Sequence, residues 1–342
     1  MSAPRLRELY SQSGFTLVEL MVALVLGLIL TGGVINIYIS SKQTYRMQDN
    51  QSRLQEDGRF ALQFLAKDLR MAGYMGCTNL AALTPNIIAN SPPMTSLFDP
   101  STVIQGYDGG TWPSTFPAEP ANLVAGNSVI VVQYALPSGI FVFDHTSLTA
   151  DLKINANPYN WTAGTILFVT DCQSADVFRA TTVSISSGKV NIAHASSQNT
   201  SNNLSKIYKP NSAQVMAFVY YMYYIGSMSG GTTCPCALYR QSVTGTNDQM
   251  VDNIQGMQIT YGVDTTNDQN ADRYLTASAV TNGSYWPSVV SARVNLLATT
   301  PDDNLVDKPQ VYTYNGAPPA PAADRRLYSS FTDTITFRNR AP

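Results

Sequence analysis

Residues 11–30 read SQSGFTLVELMVALVLGLIL, and this stretch decides how the rest of the chain is read. It is almost wholly apolar, yet it carries one carboxylate, Glu19, near its start. From Leu20 to Ser41 there is no charged residue, a run of 22. A bilayer core needs about 20 residues of helix, so the run is a transmembrane candidate. Arg5 and Arg7 favour a cytoplasmic amino end, and Lys42 and Arg46 beyond the run oppose it. A lone carboxylate in hydrocarbon costs on the order of a few kcal/mol. Something must offset the charge of Glu19.

A secretory signal peptide is the competing reading, and it places small residues after the apolar run. Here Ser13 and Gly14 precede it, and the helical pattern simply continues. Met47, Leu54, Ala61, Leu65, Leu69 and Ala72 form one apolar stripe at helical spacing. Asp49, Arg53, Glu56, Arg59 and Lys67 occupy much of the remainder, and Gly73 supplies a stop. The pattern predicts one helix from Phe15 to Ala72, roughly 87 Å long at ~1.5 Å per residue. Its organisation is a leader over 1–14, a transmembrane half over 15–41, an amphipathic half over 42–73 and a head over 74–342. Gly27, Gly32 and Gly33 suit close approach of membrane helices and local unwinding.

The run Gly14-Phe15-Thr16-Leu17-Val18-Glu19 resembles the processing site of type IV pilins and type II secretion pseudopilins. The resemblance implies cleavage between Gly14 and Phe15 by a prepilin peptidase, then N-methylation of Phe15. It places Glu19 at the fifth mature position. Further segments are similar to the pilus assembly protein W (PilW) family of minor pilins. They are DNQSRLQEDGRFALQFLAKDLRMAGYMGC, DCQSADVF, MQITYGVDTTNDQNADRY and RRLYSSFTDTITFRNR. Minor pseudopilins of the J kind in type II secretion are related and stand as the alternative. A pilin-anchored periplasmic adhesin or binding protein is the alternative of another class.

The family resemblance suggests what offsets Glu19. A freed Phe15 amine and the Glu19 carboxylate carry opposite charges, and pairing lowers the cost of each. The pair can form within one subunit, or between neighbours, where it would set the axial register. Recognition by the peptidase and methylase is the simpler role for Glu19. The implied partners are other minor pilins, the major pilin, the prepilin peptidase, the inner-membrane assembly machinery and membrane lipid. The implied location is the bacterial inner membrane, single-pass with the head in the periplasm, and then the pilus tip.

Beyond Gly76 the periodicity changes. Prolines and glycines over 84–126 predict a long loop region. Strand patterns cover 129–134, 140–143, 165–170, 177–185, 215–225, 237–241, 256–263, 289–297 and 332–338. VMAFVYYMYYI is apolar on both sides and reads as a central strand, with Tyr220, Tyr221, Tyr223 and Tyr224 serving packing. SSQNTSNNLS reads as a mobile polar loop. The expected class is α+β, type IV pilin-like, with a β-rich head whose sheet packs on the amphipathic half of the helix.

Composition narrows the function. Charged residues make up 13% of the 342 and the net charge is −2, so phosphate binding along nucleic acid is not indicated. Four cysteines, Cys77, Cys172, Cys234 and Cys236, suit disulfides in an oxidising compartment. Three pairings exist; Cys77 with Cys172 plus a local Cys234–Cys236 bridge is the one favoured. No phosphate loop, nucleophile elbow or HExxH helix occurs. The two histidines, His145 and His194, read as surface or loop residues. No catalytic residue is assigned and no enzyme is expected. Asp264, Thr266, Asp268, Asn270 and Asp272 alternate through a polar loop. Asp264, Asp268, Asn270 and Asp272 are therefore calcium candidates, although the EF-hand glycine and terminal glutamate are missing.

Overall fold

The computed structural model describes residues 14–77, 83–90, 101–242 and 245–339. Arg5, Arg7 and the other residues before Gly14, where the leader is expected, lie outside the described residues. The chain divides into a first unit through Gln51 and a second from Ser52 onward.

Helix α1 spans Leu17–Met71. No proline interrupts it, and it stays helical through Gly27, Gly32 and Gly33. It stops where the chain turns left-handed at Gly73, φ 73°, whose N–H donates to the Gln133 carbonyl at 2.9 Å. In the first unit the apolar side chains from Leu17 to Ile39 are exposed. That part is long and apolar enough to cross a membrane.

In the second unit α1 buries Leu54, Ala61, Leu65, Ala66 and Leu69, with Ala72 just beyond its end. Met47, expected in the same stripe, belongs to the first unit and is 38% exposed, so the buried stripe starts at Leu54.

The strands, in chain order, begin with β1 (Asn86–Ile87), β2 (Ile104–Tyr107), β3 (Val129–Asp144), β4 (Leu152–Ile154), β5 (Ile166–Thr170) and β6 (Ala175–Arg179). Next come β7 (Thr182–Ser186), β8 (Lys189–Ala193), β9 (Gln214–Ser227), β10 (Cys236–Ser242), β11 (Asn247–Asp252), β12 (Ile254–Val263) and β13 (Arg273–Leu275). A short helix α2 (Ala277–Asn282) precedes β14 (Val289–Thr299), β15 (Val311–Tyr312), β16 (Ala320–Pro321) and β17 (Tyr328–Thr336). The larger sheet runs β1-β6-β5-β9-β3-β4-β8-β7, with β2 on β3 and the β10–β11 hairpin on β9. A second sheet runs β13-β12-β14-β17, all antiparallel.

The period-two alternation of a strand sorts the core. Ile130, Val132 and Tyr134 of β3, with Tyr223 and Ile225 of β9, join the α1 stripe and the second sheet's Met257, Ile259, Val294, Leu296 and Ile335. Val129, Val131, Met222 and Tyr224 turn to the opposite face. The tyrosine run on β9 therefore serves two cores at once. Asp68 of α1 is buried, but it accepts the hydroxyls of Tyr134 (3.0 Å) and Tyr223, which supplies the partners a buried carboxylate needs.

Several sequence expectations change. The patterns at 129–134 and 140–143 belong to one strand, β3, whose pairing with β9 shifts register between Leu136 and Ile140, where Gly139 turns left-handed. The pattern at 177–185 is two strands, β6 and β7, on different parts of the sheet. The last strand starts earlier, at Tyr328, and ends at Thr336. The loop region contains β2. The polar stretch 196–205 is anchored: Asn199 Oδ1 accepts the Arg179 amide at 2.7 Å, and Ser205 bonds to buried Asp176.

Candidate functional site

Thr16 stands immediately before α1 and Glu19 lies in its first turn. The Glu19 amide donates to Thr16 Oγ1 at 3.2 Å. In return Glu19 Oε2 accepts the Thr16 amide and hydroxyl, both at 3.3 Å. This is a reciprocal capping box, which satisfies two amides that a helix start leaves without intrahelical partners. The carboxylate also sits at the positive end of the helix dipole. Phe15 is 86% exposed just upstream, next to Gly14. The cap was missed in reading the sequence, although a threonine with a glutamate three positions on is the signal that could have found it.

Two disulfides staple the head. Cys77–Cys172 joins the exit of α1 to the turn between β5 and β6 across a sequence separation of 95. Cys234–Cys236 closes a tight loop at the end of the β9–β10 hairpin.

The calcium candidates form a different structure. Asp264 accepts the amides of Thr266 (3.0 Å) and Asn267 (2.7 Å) on one oxygen and of Gln269 (2.8 Å) on the other. Asp272 Oδ2 accepts the Thr265 amide and hydroxyl at 2.7 Å each, and Asp268 accepts the Asn270 amide. Burial works against the Asp264 charge. The amides of Gln269, Asn267 and Thr266 outweigh it and hold the carboxyl below the usual range. Ca²⁺ requires six to eight oxygen ligands, whereas these oxygens already face N–H and O–H donors. No group of three or more His, Cys, Asp or Glu is placed to hold a metal among the described residues. The alternation of oxygen-bearing side chains folds the loop, and the donor set does not fit a calcium cage.

The histidines lie in loops, as expected, just after β3 and β8, but not at the surface. Both are buried, at 4% and 2% exposure, and their rings lie 6.3 Å apart. Burial within the head, not solvent, surrounds them.

Comparison with known proteins bears on the two ends of the chain. Residues 9–35 match the prokaryotic N-terminal methylation motif. Residues 222–339 match the family model described as Type IV Pilus-assembly protein W. The second match spans the end of β9, the β10–β11 hairpin and the whole second sheet. No curated protein and no solved structure matches the chain significantly.

Proposed function

We propose that the chain is a minor pilin of the type IV pilus-assembly W family, a reading that the two family-model matches support. In this reading it joins other minor pilins in the complex that primes the fibre and then sits at its tip. Its work is structural, not catalytic. The leader 1–14 is removed and Phe15 becomes the N-methylated amino end. Residues 15–41 lie in the inner membrane, 42–73 continue the helix, and 74–342 form the periplasmic head. The observation that carries this reading is Glu19 seated at the head of an exposed apolar helix beside Phe15.

The capping box adds a physical step to assembly. Before docking, Glu19 is held by Thr16 of its own subunit, so the acid enters lipid with hydrogen-bond donors attached. A neighbour's amine that reaches it adds a full charge pair. A subunit out of register leaves both charges without each other, which costs on the order of several kcal/mol in hydrocarbon. Docking is thereby selective for one stagger.

The test is mass spectrometry of the membrane-extracted protein, combined with deletion of the gene. Loss of 1–14, a methylated Phe15 and loss of surface pili support the proposal. An intact leader overturns it. Normal pili with failed protein secretion would assign the chain to a type II secretion complex instead.

A further inference from the structure

The chain has two histidines, and the fold brings them together from 49 positions apart. His145 follows β3 and His194 follows β8, at one end of the sheet. The Tyr208 amide donates to His145 Nδ1 at 3.1 Å, and His194 Nε2 meets the Ala150 carbonyl at 2.9 Å. An amide N–H can only donate and a carbonyl can only accept. His145 therefore carries its proton on Nε2, and so does His194. This leaves two buried ring nitrogens without a hydrogen bond among the described residues: the His145 Nε2–H donor and the His194 Nδ1 lone pair.

The surroundings are closed and largely apolar. Tyr208 stacks on His145 at 6.1 Å, and Phe178 meets His194 edge-on at 5.5 Å. The corner is tied together by the Leu204 amide on the Leu148 carbonyl at 3.0 Å and by the Tyr208 hydroxyl on Asp176. The charged groups facing His145 are Asp144 and Asp176. Asp144 is paired with Lys153 at 2.8 Å, and the Asp176 oxygens accept from Ser205, Tyr208 and Asn86. Both carboxylates have partners of their own, yet each still favours the charged ring of His145. A metal bridging the rings is disfavoured. It would need the lone pair on His145 Nε2, which would turn an Nδ1–H against the Tyr208 N–H.

We propose that His145, packed against His194, is a proton-operated latch that keeps the Leu148–Leu204–Tyr208 corner closed at neutral pH and opens it on acidification. A proton on His145 must go to Nδ1, where it displaces the Tyr208 amide. Burial, then the neighbouring His194, pushes His145 below the ordinary histidine range, although Asp176, Asp144 and the Ala150 backbone pull the other way. The closed state's advantage is thus full above about pH 6.5, the ordinary value, and is lost as pH falls below it.

The latch is testable in the full processed chain in detergent micelles. Histidine-selective ¹⁵N labelling gives two spin systems, since there are two histidines. Both should report the Nε2–H tautomer at neutral pH; an Nδ1–H tautomer at His145 overturns the latch. Amide exchange, corrected for intrinsic rates, should show 145–151 and 204–208 losing about tenfold in protection per unit of pH below about 6. The β12 and β14 peptides should hold. His145→Gln retains an acceptor for Tyr208 but cannot titrate, and it should flatten this pH dependence. An unchanged pH dependence in His145→Gln, or none in the parent chain, overturns the proposal.

Discussion

Gly58 of α1 lies directly against the ring of Phe331 on β17: a methyl group at Gly58 would stand 2.3 Å from Phe331 Cε2. Helix propensity favours alanine over glycine there by about 1 kcal/mol. Overpacking costs about 1–3 kcal/mol, and three ring atoms within 2.6 Å of the added methyl place this case toward the upper part of that range. Gly58→Ala should therefore destabilise the head by about 1–2 kcal/mol net. Adding Phe331→Leu should recover part of the loss. Urea melts of the single and double variants check both statements, and an alanine variant more stable than the parent would show that the ring simply swings aside.

The same contact marks a limit of reading sequence. The helical stripe from Leu54 to Ala72 was legible because its spacing repeats, and so was the central strand β9, because apolar residues on both sides leave one consistent place for it. That a glycine inside the helix receives a particular phenylalanine from 273 positions away has no local signature. Strands β4, β8, β11 and β13 are short or polar, and pairing partners specify them more than their own residues do. At the amino end the helix and the methylation motif were legible, because both are written in adjacent residues. The histidine pair was not, because burial of two polar rings depends on strands that end side by side.

The two disulfides should contribute unequally. In the chain-entropy account, a closed loop of about 100 residues restricts the unfolded chain by roughly 4.7 kcal/mol, and one of three residues by roughly 1.5 kcal/mol. Cys77–Cys172 spans a separation of 95 and Cys234–Cys236 one of 2. Replacing Cys77 and Cys172 together by serine should lower the melting temperature far more than replacing Cys234 and Cys236. Equal losses would mean that the short loop shapes the β9–β10 hairpin in the folded state.

Acid should loosen the 264–272 loop, and calcium should not tighten it. The Asp264 and Asp272 carboxyls both lie below their ordinary values, Asp264 through backbone amides that outweigh its burial and Asp272 through Thr265. A depressed carboxylate contributes stability above its unfolded value, about 3.9, and loses it as pH falls through the folded one. Protection of the loop amides against exchange should hold at neutral pH and fall at strongly acidic pH. Millimolar Ca²⁺ should leave loop protection and melting temperature unchanged. A calcium-dependent rise in either would mean that the carboxylates exchange their amide partners for the ion.

The two roles of Glu19 separate by substitution. Glutamine at this position keeps the reciprocal cap, because its amide oxygen can accept from Thr16, but it removes the charge. Valine removes both. Thr16→Ala removes the side-chain half of the cap, at a cost of about 0.5–2 kcal/mol, and keeps the charge. If charge pairing with a neighbour's Phe15 amine sets the register, Glu19→Gln and Glu19→Val should both fail to enter fibres, while Thr16→Ala enters at a reduced level. Leader cleavage should continue in all three, since Gly14 and Phe15 are untouched. The measurement is the ratio of variant to parent chain in sheared surface fibres against the membrane fraction. If Glu19→Gln assembles as well as the parent chain, the register argument fails, and the acid serves to start the helix.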